Sequence, residues 1–129
     1  VRGNLLVAAR APQAHARGWA ALSVARRLEQ VLTLFPALST MLERSAAQMS
    51  GGEQQMLGLA RTLMTGPTLL LLDEPCEGIA PMLVASIRDA VLELKREGMS
   101  LLVAEQNGIL AARADRVITL KAQTPLHAD

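Results

Sequence analysis

The chain has 129 residues, a formal net charge of +1, one cysteine and a hydrophobic content of 50%. This composition favours a folded domain with a modest core over a disordered chain. Its balanced charge and its 2% aromatic content exclude the basic, aromatic surface that nucleic-acid binding uses. A single cysteine excludes an internal disulfide, and His15 and His127 lack the spacing of a zinc site. No apolar run reaches the ~18 residues that a membrane span needs.

The first part of the chain predicts a small helical unit. A short apolar helix is expected at residues 4–9, and Trp19 is interpreted as a packing anchor. Apolar residues at helical spacing then predict an amphipathic helix from Leu22 to Phe35, which Pro36 ends. A shorter helical piece is expected from Ala37 to Glu43.

A turn of small residues opens the next helix. Ser50 and Glu53 fit a capping box, in which each side chain accepts a hydrogen bond from the backbone amide of the other, and this role alone accounts for both residues. Gly51 and Gly52 weaken the first helical turn, so their presence indicates close approach of the backbone to something else. Exposed amides at the positive end of a helix favour an anion, most often phosphate. The Gly-Pro pair at 66–67 is expected to stop the helix.

A run of four leucines at 69–72 predicts a strand that is buried on both faces in a parallel sheet. Asp73 and Glu74 follow at its carboxyl end, where open α/β sheets bind their ligands. An acidic pair at this position can also be a solvated strand boundary. The Gly-Gly helix that precedes the strand favours a chemical role.

The rest of the chain alternates between predicted helices and strands. This alternation implies the α/β class with a parallel sheet and right-handed crossovers. The predicted elements are a helix from Met82 to Glu97, a strand from Leu101 to Ala104, a short helix from Asn107 to about Arg113 and a strand from Asp115 to Leu120.

Two segments resemble the motifs of ABC ATPases. Met49–Glu53 resembles the signature motif, and Leu69–Glu74 resembles the Walker B motif. Asp73–Pro81 and Val103–Asn107 resemble one branch in particular, the LivF-like ATP-binding subunits of importers for branched-chain and other hydrophobic amino acids. Urea-type importers are close to this branch. The resemblance extends over nearly the whole chain, but it corresponds only to the C-terminal half of such a subunit.

The resemblance implies a partial P-loop NTPase fold. Residues 1–48 correspond to a portion of the helical subdomain, residues 49–121 to a portion of the α/β core with a three-layer parallel sheet, and residues 122–129 to a frayed tail. The Walker A strand belongs between the strands at 101–104 and 116–120, and it is lacking. We therefore expect direct pairing of these strands or exposed edges, and marginal stability.

The resemblance also assigns roles at the strand ends. Asp73 matches the ligand of Mg²⁺, commonly through water, because a hard cation prefers oxygen ligands. Glu74 matches the catalytic glutamate that orients and polarises the water attacking ATP. Gln106 stands where most ABC ATPases carry a switch histidine. Glutamine can hydrogen-bond the γ-phosphate, but it cannot carry a positive charge or shuttle a proton.

The resemblance also implies a role for the start of the Gly-Gly helix at the interface between two ATP-binding subunits. Ser50, Gly51 and Gly52 match the residues that clasp the γ-phosphate of ATP bound by a second ATP-binding subunit. The last position of the motif is usually Gln, and Glu53 is interpreted as a tolerated variant. At the D-loop the usual aspartate is replaced by Ala80, which leaves fewer polar groups to couple two nucleotide sites.

The largest departure from the family is the absence of Walker A. A P-loop needs Gly-Lys followed by Ser or Thr, and the two lysines of the chain, Lys95 and Lys121, each follow a leucine. We therefore expect the chain to be inactive alone. The implied whole is an importer ATPase at the cytoplasmic face of the bacterial inner membrane, with transmembrane permease subunits and, indirectly, a periplasmic solute-binding protein as partners.

Two other interpretations remain. The chain is alternatively a non-catalytic remnant or an interaction fragment. A DNA-repair ABC ATPase shares both motifs, but the short link between residues 53 and 74 and the lack of a basic face count against it.

Overall fold

The computed structural model describes residues 1–122 of the chain. The helices within this range are α1 (Arg2–Ala8), α2 (Val24–Leu34), α3 (Pro36–Ser39), α4 (Gly51–Met64) and α5 (Pro81–Arg96). The strands are β1 (Leu69–Asp73) and β2 (Ser100–Ala104), and short 3-10 helices span Gly18–Ala21, Ala46–Gln48 and Ala111–Arg113. The expected tail lies, from residue 123 onward, outside the described residues. None of the described helices combines the length and hydropathy that a membrane crossing requires.

The helical predictions for the first part of the chain are confirmed with shifted boundaries. The hydroxyl of Ser23 caps α2 by accepting a hydrogen bond from the Arg26 amide at 3.2 Å. Phe35, fully buried, ends this helix. Pro36 then begins α3, because the first position of a helix tolerates a residue without an N–H group. The shorter helical piece expected next ends already at Ser39 and is followed by turns.

The two strands form a parallel pair joined through α5. Their register runs from Leu69 opposite Ser100 to Asp73 opposite Ala104. One further hydrogen bond, from the Glu74 amide to the Ala104 carbonyl at 2.8 Å, extends the ladder by one residue. The predicted α/β class with a parallel sheet is confirmed.

The sheet has one buried face and one exposed face within residues 1–122. Leu70 is fully buried in a single apolar core that also contains residues of α1, α2, α4 and α5. On the opposite face Leu69, Leu71 and Leu102 are 51%, 64% and 63% exposed. The prediction that the leucine run is buried on both faces is therefore wrong, because the described helices cover one side of the sheet. The second outer layer of the expected three-layer unit is not formed by the described residues.

The strand predicted from Asp115 to Leu120 is also wrong. This segment is irregular, and Val117, Ile118 and Leu120 are 58%, 69% and 90% exposed. Strand-forming side chains do not make a strand by themselves, since their preference reflects packing on a sheet and pairing with a neighbour. Neither described strand pairs with this segment. Of the two expected outcomes, direct pairing and exposed edges, the structure has the second.

A buried arginine that the sequence analysis did not single out joins the N-terminal loop to the end of α4. Arg27 of α2 is 1% exposed, and it donates hydrogen bonds to the backbone carbonyls of Arg10, Trp19, Ala20 and Met64. Burial lowers the pKa of its guanidinium. Trp19 is the predicted anchor, and its indole Nε1 donates to the Leu63 carbonyl at 2.8 Å.

Gly66 shows how closely the chain fits around the Arg27 guanidinium. A Cβ atom on Gly66 would lie 2.6 Å from Nη2 and 2.7 Å from Cζ of Arg27, and the backbone there has a φ of 75°. Both the contact and the left-handed backbone require glycine. The expected helix stop at 66–67 is thus also a packing requirement.

We expect Arg27→Met to lower the free energy of unfolding by on the order of 3 kcal/mol, because it leaves several buried carbonyls without a donor. Urea denaturation followed by circular dichroism measures this change. Arg26→Met is the matched control, since Arg26 is exposed and its ion pair with Glu29 contributes at most about 1 kcal/mol. Equal stability of the two variants would contradict this account of Arg27.

Candidate functional site

The start of α4 is built by the predicted capping box, which the structure confirms. The Ser50 hydroxyl accepts a hydrogen bond from the Glu53 amide at 3.3 Å, and Oε2 of Glu53 accepts one from the Ser50 amide at 2.9 Å. The amides of Gly51 and Gly52 belong to the first turn and have no intrahelical acceptor. The Glu53 carboxylate is thus used to form the helix, while the hydroxyl proton of Ser50 remains available for donation.

The two glycines at the start of α4 have different surroundings. A Cβ on Gly52, which is buried, would overlap Cδ1 of Leu83 and lie 3.4 Å from Cβ of Ile79. A Cβ on Gly51 would meet nothing within 4 Å. The close backbone approach that the sequence indicates therefore has, at Gly52, a partner inside the chain. Gly51 is exposed and is the glycine whose surroundings are open to a ligand.

The acidic pair lies at the carboxyl edge of the sheet. Asp73 ends β1 with an exposed side chain, and Glu74 follows in the left-handed region with a φ of 45°. Such a conformation is unfavourable by about 1–3 kcal/mol for a residue other than glycine, and it concentrates at functional sites. The hydrogen bond from the Glu74 amide to Ala104 stabilises this turn. It also fixes the Glu74 backbone against the end of β2.

Gln106 lies at the same edge because Ala104, the last residue of β2, pairs with Asp73. The helix predicted from Asn107 to about Arg113 is replaced by a turn and a 3-10 helix at Ala111–Arg113. Oδ1 of Asn107 accepts a hydrogen bond from the Ile109 amide at 3.1 Å, which closes the turn. Gln106 is exposed.

The structure therefore brings three predicted site residues to one edge and leaves the others in a second place. Asp73, Glu74 and Gln106 share the carboxyl edge of the sheet. The Ser50–Glu53 turn packs instead against Ile79 and Leu83, at the beginning of α5. No hydrogen bond or ion pair between described residues joins the two groups.

A small cavity lies between α4 and β1 and reaches Asp73. Its volume is about 140 Å³, well below the roughly 300–1,000 Å³ of a ligand pocket. Its lining residues are Gln55, Gly58, Leu59, Thr62, Leu71, Leu72, Asp73, Pro75 and Ile87. This cavity is too small for a nucleotide. At the carboxyl edge of the sheet, the described residues therefore present functional side chains but no enclosed phosphate site.

Asp73 fits the magnesium role that the family resemblance implies, but only as one ligand among several. Residues 1–122 contain no cluster of three or more His, Cys, Asp or Glu side chains that could hold a metal. Magnesium commonly uses one or two carboxylates together with water and substrate phosphates. An exposed carboxylate at a strand end suits that arrangement.

Cys76 lies beside the acidic pair and is 5% exposed. Burial and the nearby Glu105 raise the pKa of its thiol, with a smaller opposing effect of Arg88. A buried cysteine with a raised pKa is a poor nucleophile. We therefore interpret Cys76 as a small structural residue of the core.

Comparison with known proteins gives the family. The family model described as "ABC transporter" matches residues 4–77, more than half of the chain. The chain belongs to the ABC transporter family. Two solved ATP-binding cassettes of ABC transporters share its fold at 32% identity. The nucleotide-free cassette has a TM-score of 0.60, with 69% of this chain and 35% of the cassette covered. The other cassette, solved in its ADP conformation, has a TM-score of 0.59, with 71% of this chain and 36% of that cassette covered.

Curated relatives carry several transport functions. The high-affinity branched-chain amino acid transport ATP-binding protein BraG of Pseudomonas aeruginosa is 46% identical over 96 residues, which cover 74% of this chain and 41% of BraG. The probable branched-chain amino acid transport ATP-binding protein LivG of Methanocaldococcus jannaschii is 41% identical, with 55% and 28% covered. The lipoprotein-releasing system ATP-binding protein LolD 1 of Rhodospirillum rubrum is also 41% identical, with 65% and 38% covered. The chain thus spans less than half the length of these relatives.

The different surroundings of Gly51 and Gly52 lead to a stability prediction. Both alanine variants gain helix propensity, but only Gly52→Ala must displace Leu83. We expect Gly52→Ala to be less stable than Gly51→Ala by about 1 kcal/mol. Chemical denaturation of the two variants and the parent chain measures the difference. A Gly52→Ala variant as stable as Gly51→Ala would show that α5 does not restrict this position.

Proposed function

We propose that this chain carries the signature and Walker B portion of an ATP-hydrolysing subunit of an ABC importer, which couples ATP binding and hydrolysis to transport. The observation that carries the proposal is the convergence of Asp73, Glu74 and Gln106 at the carboxyl edge of the parallel sheet. Membership of the ABC transporter family supports it. The proposed cofactors are ATP and Mg²⁺.

At the sheet edge the two carboxylates have separate proposed roles. Asp73 is exposed and has no described hydrogen-bond partner, so it can accept hydrogen bonds from the water shell of Mg²⁺, which supplies charge stabilisation at the phosphates. Glu74, held in its turn by Ala104, orients the attacking water. Gln106 hydrogen-bonds the γ-phosphate through its carboxamide. Its side chain does not titrate, so it holds the phosphate without exchanging a proton.

The start of α4 acts, in this proposal, on ATP bound by a second ATP-binding subunit. Ser50 and Gly51 are exposed, and their hydroxyl and amide point out of the first helical turn, where the helix dipole favours an anion. Gly52 packs against Leu83 of α5 and contributes its amide from a buried position. Glu53 supports this surface by fixing Ser50 through the capping box. The separation of this turn from the sheet edge supports action in trans.

The transported substrate is proposed to be a branched-chain or other hydrophobic amino acid. BraG and LivG are named for branched-chain amino acid transport, and the Glu-Gln-Asn segment at 105–107 supports the LivF-like branch. Relatives named for lipoprotein release, phosphate import and glutamate transport are 41%, 40% and 33% identical. Transmembrane permease subunits at the cytoplasmic face of the inner membrane, and a periplasmic solute-binding protein, are the partners of such an importer.

We expect the 129-residue chain alone to bind no ATP and to hydrolyse none. The reason is that its sequence has no Gly-Lys-Ser or Gly-Lys-Thr to hold the β- and γ-phosphates. Fluorescent ATP binding and magnesium-dependent phosphate release measure the two activities, with Glu74→Gln as the control for contaminating ATPases. Turnover that the Glu74→Gln change abolishes would contradict this expectation, because it would require the chain to hold phosphate at a site other than a P-loop. If neither the parent chain nor the Glu74→Gln variant hydrolyses ATP, the result also agrees with the alternative that the chain is a non-catalytic interaction fragment.

A chimaera separates the catalytic proposal from the interaction-fragment alternative. In it, this chain replaces the matching part of BraG. We expect the chimaera to hydrolyse ATP, and Glu74→Gln to slow hydrolysis by about 10²–10⁴-fold while ATP remains bound, because a general base contributes this factor. Steady-state phosphate release and equilibrium ATP binding are the measurements.

Glu77→Gln is the matched control for the chimaera. Glu77 is an exposed acid in the same loop and has no described side-chain partner. Its substitution is expected to leave hydrolysis unchanged. A Glu74→Gln chimaera that hydrolyses ATP as fast as the Glu77→Gln chimaera would refute the role of Glu74.

A further inference from the structure

Glu105 is a partly buried carboxylate that the proposed reaction does not use. Its Oε1 accepts hydrogen bonds from the backbone amides of Leu110 at 2.7 Å and Ala111 at 3.0 Å. Its Oε2 is buried and accepts no hydrogen bond from any described residue. A carboxylate that accepts from two amides has strong, charge-assisted hydrogen bonds. The side chain therefore ties the end of β2 to the loop that follows it.

The residues on either side of Gln106 in the sequence both make hydrogen bonds within the loop, while Gln106 itself is exposed. On one side Glu105 holds the amides of Leu110 and Ala111, and on the other side Asn107 accepts from the Ile109 amide. Gln106 has no described hydrogen-bond partner of its own. Its place at the sheet edge therefore depends on the residues immediately before and after it.

Three further contacts hold the two ends of the loop. Before it, the carbonyl of Ala104 accepts from the Glu74 amide, which links the start of the loop to the acidic pair. After it, Nζ of Lys95 donates to the Arg113 carbonyl at 2.9 Å and lies 3.1 Å from the Asp115 carboxylate. The loop is attached at both ends, and Glu105 is the attachment nearest to Gln106.

We propose that Glu105 is a positioning residue, whose carboxylate, by accepting hydrogen bonds from the Leu110 and Ala111 amides, holds Gln106 at the carboxyl edge of the sheet. This proposal rests on the proposed function for the importance of Gln106, but the geometry itself does not depend on nucleotide. Removal of the carboxylate frees two amides and removes the link between the end of β2 and the segment at Leu110 and Ala111. Glutamine at position 105 retains one acceptor oxygen and restores part of the connection.

The test is nuclear magnetic resonance of the ¹⁵N-labelled chain, without nucleotide. Amide hydrogen exchange at Leu110 and Ala111 and the side-chain carboxamide signals of Gln106 are measured in the parent chain and in Glu105→Ala and Glu105→Gln. Exchange at both amides is expected to accelerate about tenfold in Glu105→Ala, which corresponds to the loss of one charge-assisted hydrogen bond. The Gln106 carboxamide signals are expected to move toward those of an unstructured peptide. Glu105→Gln is expected to lie between the parent and Glu105→Ala.

Glu97→Gln is the matched control, because Glu97 is exposed and its side chain makes no hydrogen bond or ion pair with another described residue. Unchanged exchange in Glu105→Ala, or Gln106 signals that do not respond, would overturn the proposal. If Glu105→Ala fails to fold, the isosteric Glu105→Gln decides the question by the same two measurements. Because no nucleotide is added, failure here is distinct from failure of the proposed function, which the BraG chimaera tests.

Discussion

The structure depends on the parallel pairing of β1 with β2. Five residue pairs and the additional hydrogen bond from Glu74 to Ala104 set the two strand ends side by side. Since side chains alternate along a strand, this register also decides which leucines enter the core and which remain exposed. The functional edge follows from the same pairing. Gln106 is distant in sequence from the adjacent residues Asp73 and Glu74, and the pairing brings it to the same edge of the sheet.

Elements with local signals could be predicted from the sequence, whereas those that need a partner could not. The capping box at Ser50 and the strand at 69–73 are specified by adjacent residues, and the structure has both. The segment at 115–120 has the composition of a strand, but a strand exists only with a neighbour to complete its hydrogen bonds. The leucine run likewise resembles a fully buried strand, although the described helices cover one of its faces. The sequence pattern of a segment indicates which structure it can form. It does not indicate whether the neighbouring strand or helix that this structure needs is present.

The candidate site shows a similar division. The Ser-Gly-Gly-Glu and Asp-Glu motifs identify the residue types, but only the packing distinguishes Gly51 from Gly52. Gly52 is needed because Leu83 and Ile79 lie against it, so part of a motif associated with phosphate has a folding role. Arg27 and Glu105 were not identifiable as structural residues from sequence. Their partners are backbone groups, and backbone groups carry no sequence signal.

The buried guanidinium of Arg27 has a consequence for local opening of the chain. It binds carbonyls from the segment around Arg10, from the 3-10 helix at Gly18–Ala21 and from the end of α4, and no described carboxylate neutralises it. Its charge is stabilised by several backbone carbonyl dipoles at once. If one segment moves away, the charge is less well stabilised, and the contacts of the guanidinium with the remaining segments become less favourable. The N-terminal loop and the end of α4 therefore open together as one cooperative unit. The rate at which a protease cuts the loop accordingly measures the opening of the helix end as well.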